Sequence, residues 1–198
     1  MTAEPSLTPD STDVASPDPA EMRQAMGMFA SGVTVVTGID GGEPVGFACQ
    51  AFASVSLEPP LVLFCADHNS RTWPRIRKSG RFSVNILGEE QTDLCGRFGS
   101  SRGRKYEGLD WELSRWGTPA LRDVLLRVHA DVVDVHIAGD HDVVIGRVLE
   151  VERDAGRRPM VFFRGQFGID HETDAAQALF APGLGGWADQ WGRDRIWD

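Results

Sequence analysis

The chain has 198 residues, 41% of them hydrophobic, which suits one globular core and excludes two full-sized domains or wholesale disorder. Twenty Lys and Arg against 29 Asp and Glu give a formal charge of -9, which opposes a nucleic-acid partner, and the longest apolar run, Leu61 to Ala66, falls far short of a membrane-spanning helix. No basic, apolar leader opens the chain, so a cytoplasmic protein with no membrane partner is expected.

Residues 1–20 hold four prolines, four acids, six Ser or Thr and no Lys or Arg, the composition of a disordered acidic leader. Asp18 as N-cap and Pro19 at the first helical position then announce a helix. Met22, Ala25, Met26 and Phe29 follow at i, i+3, i+4 and i+7, so this helix is expected to pack an apolar face on the core. After Gly32 the pattern turns to strands. VTVVTGI and PVGFACQAF flank Asp40-Gly41-Gly42 as a hairpin, and LVLFCA follows Pro59-Pro60. Ser70 to Ser79 reads as a short helix with Trp73 and Ile76 inward and Pro74 in its first turn. RFSVNIL returns to strand, Glu89 to Arg97 reads as a short helix with Leu94 inward, and Gly99 to Gly108 is a basic, Gly-rich loop. Two long strands, Leu125 to Ile137 and Asp142 to Glu152, flank the turn at Ala138-Gly139-Asp140-His141, and Met160 to Arg164 completes the set. A domain over residues 21–170 and a Trp-rich tail over 171–198 follow. Strands outnumber helices without regular alternation, which predicts a mainly β, antiparallel sheet or barrel.

Several sites are excluded. Gly183-Leu184-Gly185-Gly186-Trp187-Ala188 fits GxGxxA in form only, since it follows no strand and too little chain remains for a crossover. Cys49, Cys65 and Cys95 are odd in number with no close pairing, and read as buried reduced thiols. No metal site is expected: His129 and His136 lie seven apart on one strand, with no carboxylate spaced to complete a set, and read as structural. His141, at a hairpin turn, reads equally as a turn histidine in water or as a ligand contact. The small residues of GFACQAFASVSLEPP, Gly46 to Pro60, read either as a tightly packed sheet corner or as a strip that lets a flat ligand reach the backbone. Trp187, Trp191 and Trp197 can pack, cover a dimer or meet a ligand.

Five ordered blocks, MGMFASGVTVVTG, GFACQAFASVSLEPPLVLFC, NSRTWPRIRKSGRFSVNIL, AGDHDVVIGRV and RPMVFFRGQFG, resemble the flavin reductase component of two-component flavin-dependent monooxygenases over Met22 to Gly168. Within that family the chain is most similar to actinobacterial reductases that serve aromatic-ring and steroid hydroxylases, and to those of natural-product pathways. The resemblance implies a Greek-key split β-barrel with a few short helices, a homodimer, NADH, and FAD or FMN reduced for a partner monooxygenase. Carried over by position, the flavin contacts are Ala48, Cys49, Gln50, Ala51, Phe52, Ser54, Val55, Asn69, Ser70, Arg71 and Arg75, with Ser70 and Arg71 at a helix start suited to phosphate. Arg104 and Lys105 read as added phosphate charge or as surface cations. His141 and Phe167 would meet the nicotinamide nucleotide. Ala48, Ala51 and Ala53 stand where many relatives carry Ser or Thr, and Phe167 where Tyr is frequent, so fewer side-chain hydrogen bonds and weaker flavin retention are expected. Two other readings compete: a flavoprotein that retains FMN and acts directly on an organic substrate, and a non-catalytic flavin or haem carrier.

Overall fold

The computed structural model describes residues 16–100, 102–154 and 156–168, so most of the acidic leader, the GxGxxA match and the Trp-rich tail lie outside the described residues. In chain order the elements are α1 (Pro19–Met26), β1 (Ser31–Gly32), β2 (Thr34–Asp40), β3 (Glu43–Cys49), β4 (Phe52–Leu57) and β5 (Pro60–Asp67). Then come α2 (Trp73–Ser79), β6 (Arg81–Ile86), α3 (Thr92–Gly99), β7 (Trp111–Leu113) and β8 (Pro119–Leu121). β9 (Leu126–Ala138), β10 (His141–Arg153), β11 (Val161–Phe163) and β12 (Gln166–Phe167) complete the set. Among the described residues no helix is long and apolar enough to cross a membrane.

The main sheet has seven strands, ordered β3-β2-β6-β9-β10-β5-β4, all paired antiparallel. Its two edge strands, β3 and β4, are consecutive in the chain and joined by Gln50 and Ala51 alone. Laid flat, seven strands would hold those edges about 29 Å apart. The three Cα steps from Cys49 to Phe52 reach about 11 Å at most. The sheet must therefore curl until its edges meet at the join, and the Ala51 carbonyl there accepts the Cys65 N–H at 3.0 Å. Away from the join β3 and β4 are not paired, which is the split barrel expected from the sequence.

Strand alternation sorts two cores. Val36, Phe47, Phe64, Phe82, Val84, Val128 and Val144 fill the barrel, with Trp73 and Ile76 of α2 in the same cluster. Phe64 stacks edge-on against Phe82 at 5.1 Å and Trp73 at 5.4 Å. Gly146 belongs to this packing, because a Cβ there would lie 2.4 Å from Phe82 Cζ. On the outer face, Val33, Val35 and Ala48 pack with Cys95 and Phe98 of α3 and with Leu121 and Met160. α3 begins and ends later than the sequence suggests, so Cys95 and Phe98 are its buried residues and Leu94 is only partly buried.

α1 forms as expected at its start: Asp18 Oδ1 accepts the N–H groups of Ala20 at 2.8 Å and Glu21 at 2.9 Å. Because it begins at Pro19, the helix crosses the leader boundary placed at residue 20. Among the described residues the expected packing does not occur. No residue of α1 is buried, and Met22, Met26, Met28 and Phe29 are 48%, 55%, 50% and 77% exposed. Periodicity identifies the apolar face of a helix but not what covers it.

Candidate functional site

The strand register brings the expected contacts to one end of β4, β5 and β10. Phe52 lies opposite Phe64, Cys65 opposite Val143, and His141 opposite Asp67. From Phe64 to Asp67 is three residues of β5, about 10 Å. The end of the small-residue strip, the segment after Asp67 and the His141 turn thus share one neighbourhood.

Along the strip, Ala48 and Cys49 are buried, Gln50 and Phe52 half-buried, and Ala51, Ser54 and Val55 exposed. Three of its carbonyls are already engaged: Cys49 O accepts from Thr34 Oγ1 at 2.7 Å, Gln50 O from Phe52 N at 2.9 Å, and Ala51 O from Cys65 N. What remains for a ligand is an alanine-sized surface, the Gln50 amide and the Ser54 hydroxyl. The ladder between β4 and β5 slips between Ser54 and Ser56, so Val55 sits at a bulge. Burial pushes the Cys49 thiol up to about 12, and Cys65 is raised for the same reason. All three cysteines are free thiols, Cys49 and Cys95 buried and Cys65 half-buried.

The segment after β5 is tightly fixed. Asp67 Oδ1 accepts from the Asn69 N–H at 2.6 Å and its Nδ2 at 2.9 Å. Ser70, expected to face phosphate, is 5% exposed, and its hydroxyl oxygen accepts the N–H groups of Thr72 at 3.2 Å and Trp73 at 3.0 Å. It caps α2, since Thr72 makes no side-chain cap bond of its own. Arg71 is exposed beside it. Arg75 does not join this group. Its Nε donates to Asp40 Oδ2 at 2.8 Å at the β2–β3 turn, and that contact holds the Asp40 carboxyl below the usual range.

His141 is half-buried with Nδ1 2.7 Å from Asp140 Oδ1, and this bond holds the Asp140 carboxyl low. Phe167 stacks on Phe162 at 5.4 Å against the outer core that also holds Ala48. Lys105 fixes the basic loop to β3, donating to the carbonyls of Gly46 at 3.1 Å and Phe98 at 2.9 Å. Arg104 lines a cavity of about 320 Å³ in that loop.

Two clusters escaped the sequence reading. The first centres on Asp142, whose carboxylate accepts from His68 Nε2 at 3.0 Å and Trp73 Nε1 at 2.8 Å, with Arg77 Nη1 at 3.6 Å. The Trp73 bond, with His68 and Arg77 adding to it, holds this carboxyl below the usual range. The second lies under the β7–β8 hairpin. Buried His129 meets Ser83 Oγ at 2.7 Å, Thr118 Oγ1 at 3.1 Å and Glu152 Oε1 at 2.8 Å. Carboxylates do therefore stand near a histidine, against the sequence expectation, because β10 pairs Glu150 with His129 and brings Glu152 alongside. Arg115 and Trp116 hold Glu150, and Arg127 holds Glu152, so the set forms ion pairs rather than an open anionic cage. His136 is exposed and pairs with Asp134 at 2.9 Å. No signal in one strand's periodicity reveals either cluster, since each depends on which strands become neighbours.

Comparison with known proteins agrees with this architecture. Residues 26–169 match the flavin reductase like domain family. The reductase subunit HsaB of a flavin-dependent monooxygenase from Rhodococcus jostii is 49% identical over 150 residues, 76% of this chain and 77% of that protein. The crystal structure of a nitrilotriacetate monooxygenase component B homologue from Mycobacterium thermoresistibile superposes with a TM-score of 0.73 at 45% identity, covering 77% of this chain and 87% of that one. The NADH:FAD oxidoreductase SgcE6 of Streptomyces globisporus C-1027, in complex with NAD and FAD fragments, gives 0.72 at 29% identity over 87% and 99% of the two chains. With the small-residue strip, the segment after β5 and the histidine turn gathered on a split barrel of this kind, the chain belongs to the flavin reductase like domain family.

Proposed function

We propose that this chain oxidises NADH to reduce free FAD or FMN and releases the product to a separate monooxygenase. The observation that carries the reading is the register of β5, which sets Phe52 and His141 about 10 Å apart along one strand, with Gln50 just before Phe52 and the Asn69–Arg71 segment just after the strand's end. The donor set fits a flavin: a flat, small-residue surface for a ring, an amide at its edge, and Asn69 with Arg71 for a phosphate. Arg75, committed to Asp40, is left out of that set.

When bound, flavin and nicotinamide supply the hydride chemistry between them. The chain's contribution is position. Gln50 and the alanine-sized surface of the strip hold one ring, Arg71 and Asn69 fix the phosphate end, and His141, its Nδ1 tied to Asp140, offers Nε2 to the nicotinamide nucleotide. Phe167 offers a ring face without a hydroxyl. Alanine at 48, 51 and 53 leaves few side-chain bonds to flavin, which suits an enzyme that must let its product go.

The proposed functional unit is a homodimer. Val133, Ile137 and Val151 on the long strands, with the α1 methionines and Phe29, are large apolar groups left open on the single chain, which supports self-association. NADH oxidation followed at the nicotinamide absorbance band with added FAD, then FMN, tests the activity, and no turnover above background with either overturns it. Light scattering across a dilution series, paired with that assay, tests the dimer: specific activity is expected to fall as the dimer dissociates.

A further inference from the structure

His68 is the last residue before the Asn69–Arg71 segment and is held from two sides. Its backbone N–H donates to Asp140 O at 2.9 Å, and its Nε2 meets Asp142 Oδ1 at 3.0 Å. Asp142 is only 7% exposed and is fixed in turn by Trp73 Nε1, so the imidazole is anchored to an immobile carboxylate. The anchor settles the chemistry of the ring. A carboxylate can only accept, so Nε2 carries the hydrogen, and Nδ1 is an acceptor in the neutral ring and a donor in the protonated one. The side chain is 39% exposed and sits between the segment that offers Asn69 and Arg71 and the turn that carries His141.

We propose that His68, oriented by Asp142, is a phosphate contact: its protonated Nδ1–H donates to the phosphate ester of a flavin nucleotide or of the nicotinamide dinucleotide. The inference rests on the flavin-reductase reading above. Charge at the spot is divided. Asp142 and Asp140 from the β9–β10 hairpin bring negative charge to His68, while Arg77 from α2 approaches the same Asp142 carboxylate and His141 binds Asp140. With its two nearest acids already paired, the imidazolium adds a cation where Arg71 alone would otherwise meet a dianionic ester. Asp142 is a positioning residue here, acting through the ring it holds.

Riboflavin, which lacks the phosphate, separates this role from packing. His68→Gln is expected to raise the KM for FMN about three- to tenfold, the loss of one partly exposed charge-assisted hydrogen bond, while the KM for riboflavin stays at the wild-type value. If the NADH KM rises instead and both flavins are unaffected, the same contact serves the dinucleotide phosphate. Equal rises for FMN and riboflavin, or no change in any of the three constants, overturn the inference. Asp142→Asn keeps an acceptor for Trp73 and should raise the FMN KM about two- to threefold in the same selective pattern, with melting temperatures of both variants checking that they fold. Quenching of flavin fluorescence without NADH gives an independent readout. A wild-type chain that binds FMN more tightly than riboflavin, and loses that preference in His68→Gln, supports the contact even if NADH is never oxidised.

Discussion

β6 and β4 belong to one sheet and have opposite surroundings. In β6, Phe82, Ser83, Val84 and Asn85 are all fully buried: Phe82 and Val84 fill the barrel, while Ser83 and Asn85 face outward yet lie under the β7–β8 hairpin. In β4, Ala53, Ser54 and Val55 are exposed and Leu57 is 90% exposed. A strand covered on both faces fixes the fold, and its outward polar groups must find partners inside the protein. A strand at the rim is free to serve a ligand, and its exposed residues can change without cost to the core.

The comparison yields expectations that fall in size from β6 to β4. Phe82→Ala empties the centre of the barrel and should cost about 3–5 kcal/mol, lowering the melting temperature by about 10 °C. A variant that melts within a degree of wild type would refute the assignment of the core. Asn85→Ala should cost about 2–3 kcal/mol, because Asn85 bonds Val35 O, Thr37 Oγ1, Leu121 N and Arg127 Nε and its loss strands buried partners. Urea denaturation at constant slope checks this.

The cover over β6 should loosen with acid. Glu150 accepts from Trp116 Nε1 and from Arg115, and these bonds hold its carboxyl below the usual range. A carboxyl depressed in the folded state stabilises above its unfolded value and loses that contribution as pH falls through the folded one. Glu150→Gln should therefore lie slightly below wild type at pH 7 and converge with it in acid, as pH falls through and below the usual carboxylate range. Paired thermal melts at the two pH values measure the gap. The smallest effect on stability falls on β4. Ser54→Ala should leave the melting temperature within about a degree and raise flavin KM about two- to fivefold. A large stability loss there would erase the contrast between the two strands.

Most of the sheet was legible because strand alternation and turn residues are local. The Asp40-Gly41-Gly42 hairpin, the inward Trp73 and Ile76 of α2 and the long β9–β10 pair are all in place. The short β7 and β8 were not, since three-residue strands carry no period. The site divided in the same way. The strip and His141 turn lay in contiguous stretches, whereas the pairing of Arg75 Nε with Asp40, 35 residues away, is not written in any one stretch. Asp142 was passed over because its partners come from the segment after β5 and from α2. α1 shows the remaining gap: its start was encoded by Asp18 and Pro19, but nothing in eight residues specifies what its methionines touch.

The two-residue join between β3 and β4 also governs how the molecule resists aggregation. An open sheet offers two free edges to any passing strand, and each can seed a growing stack. Here both edges converge on Gln50–Ala51, so an incoming strand finds no room at that end. Room exists only where the seam opens, toward the start of β3 and the end of β4, and those places carry Glu43 on one side and Glu58-Pro59-Pro60 on the other. A buried carboxylate and a missing N–H are both costly for a new ladder to accept. The bend that gathers the site therefore also leaves the seam guarded by charge and proline against further strands.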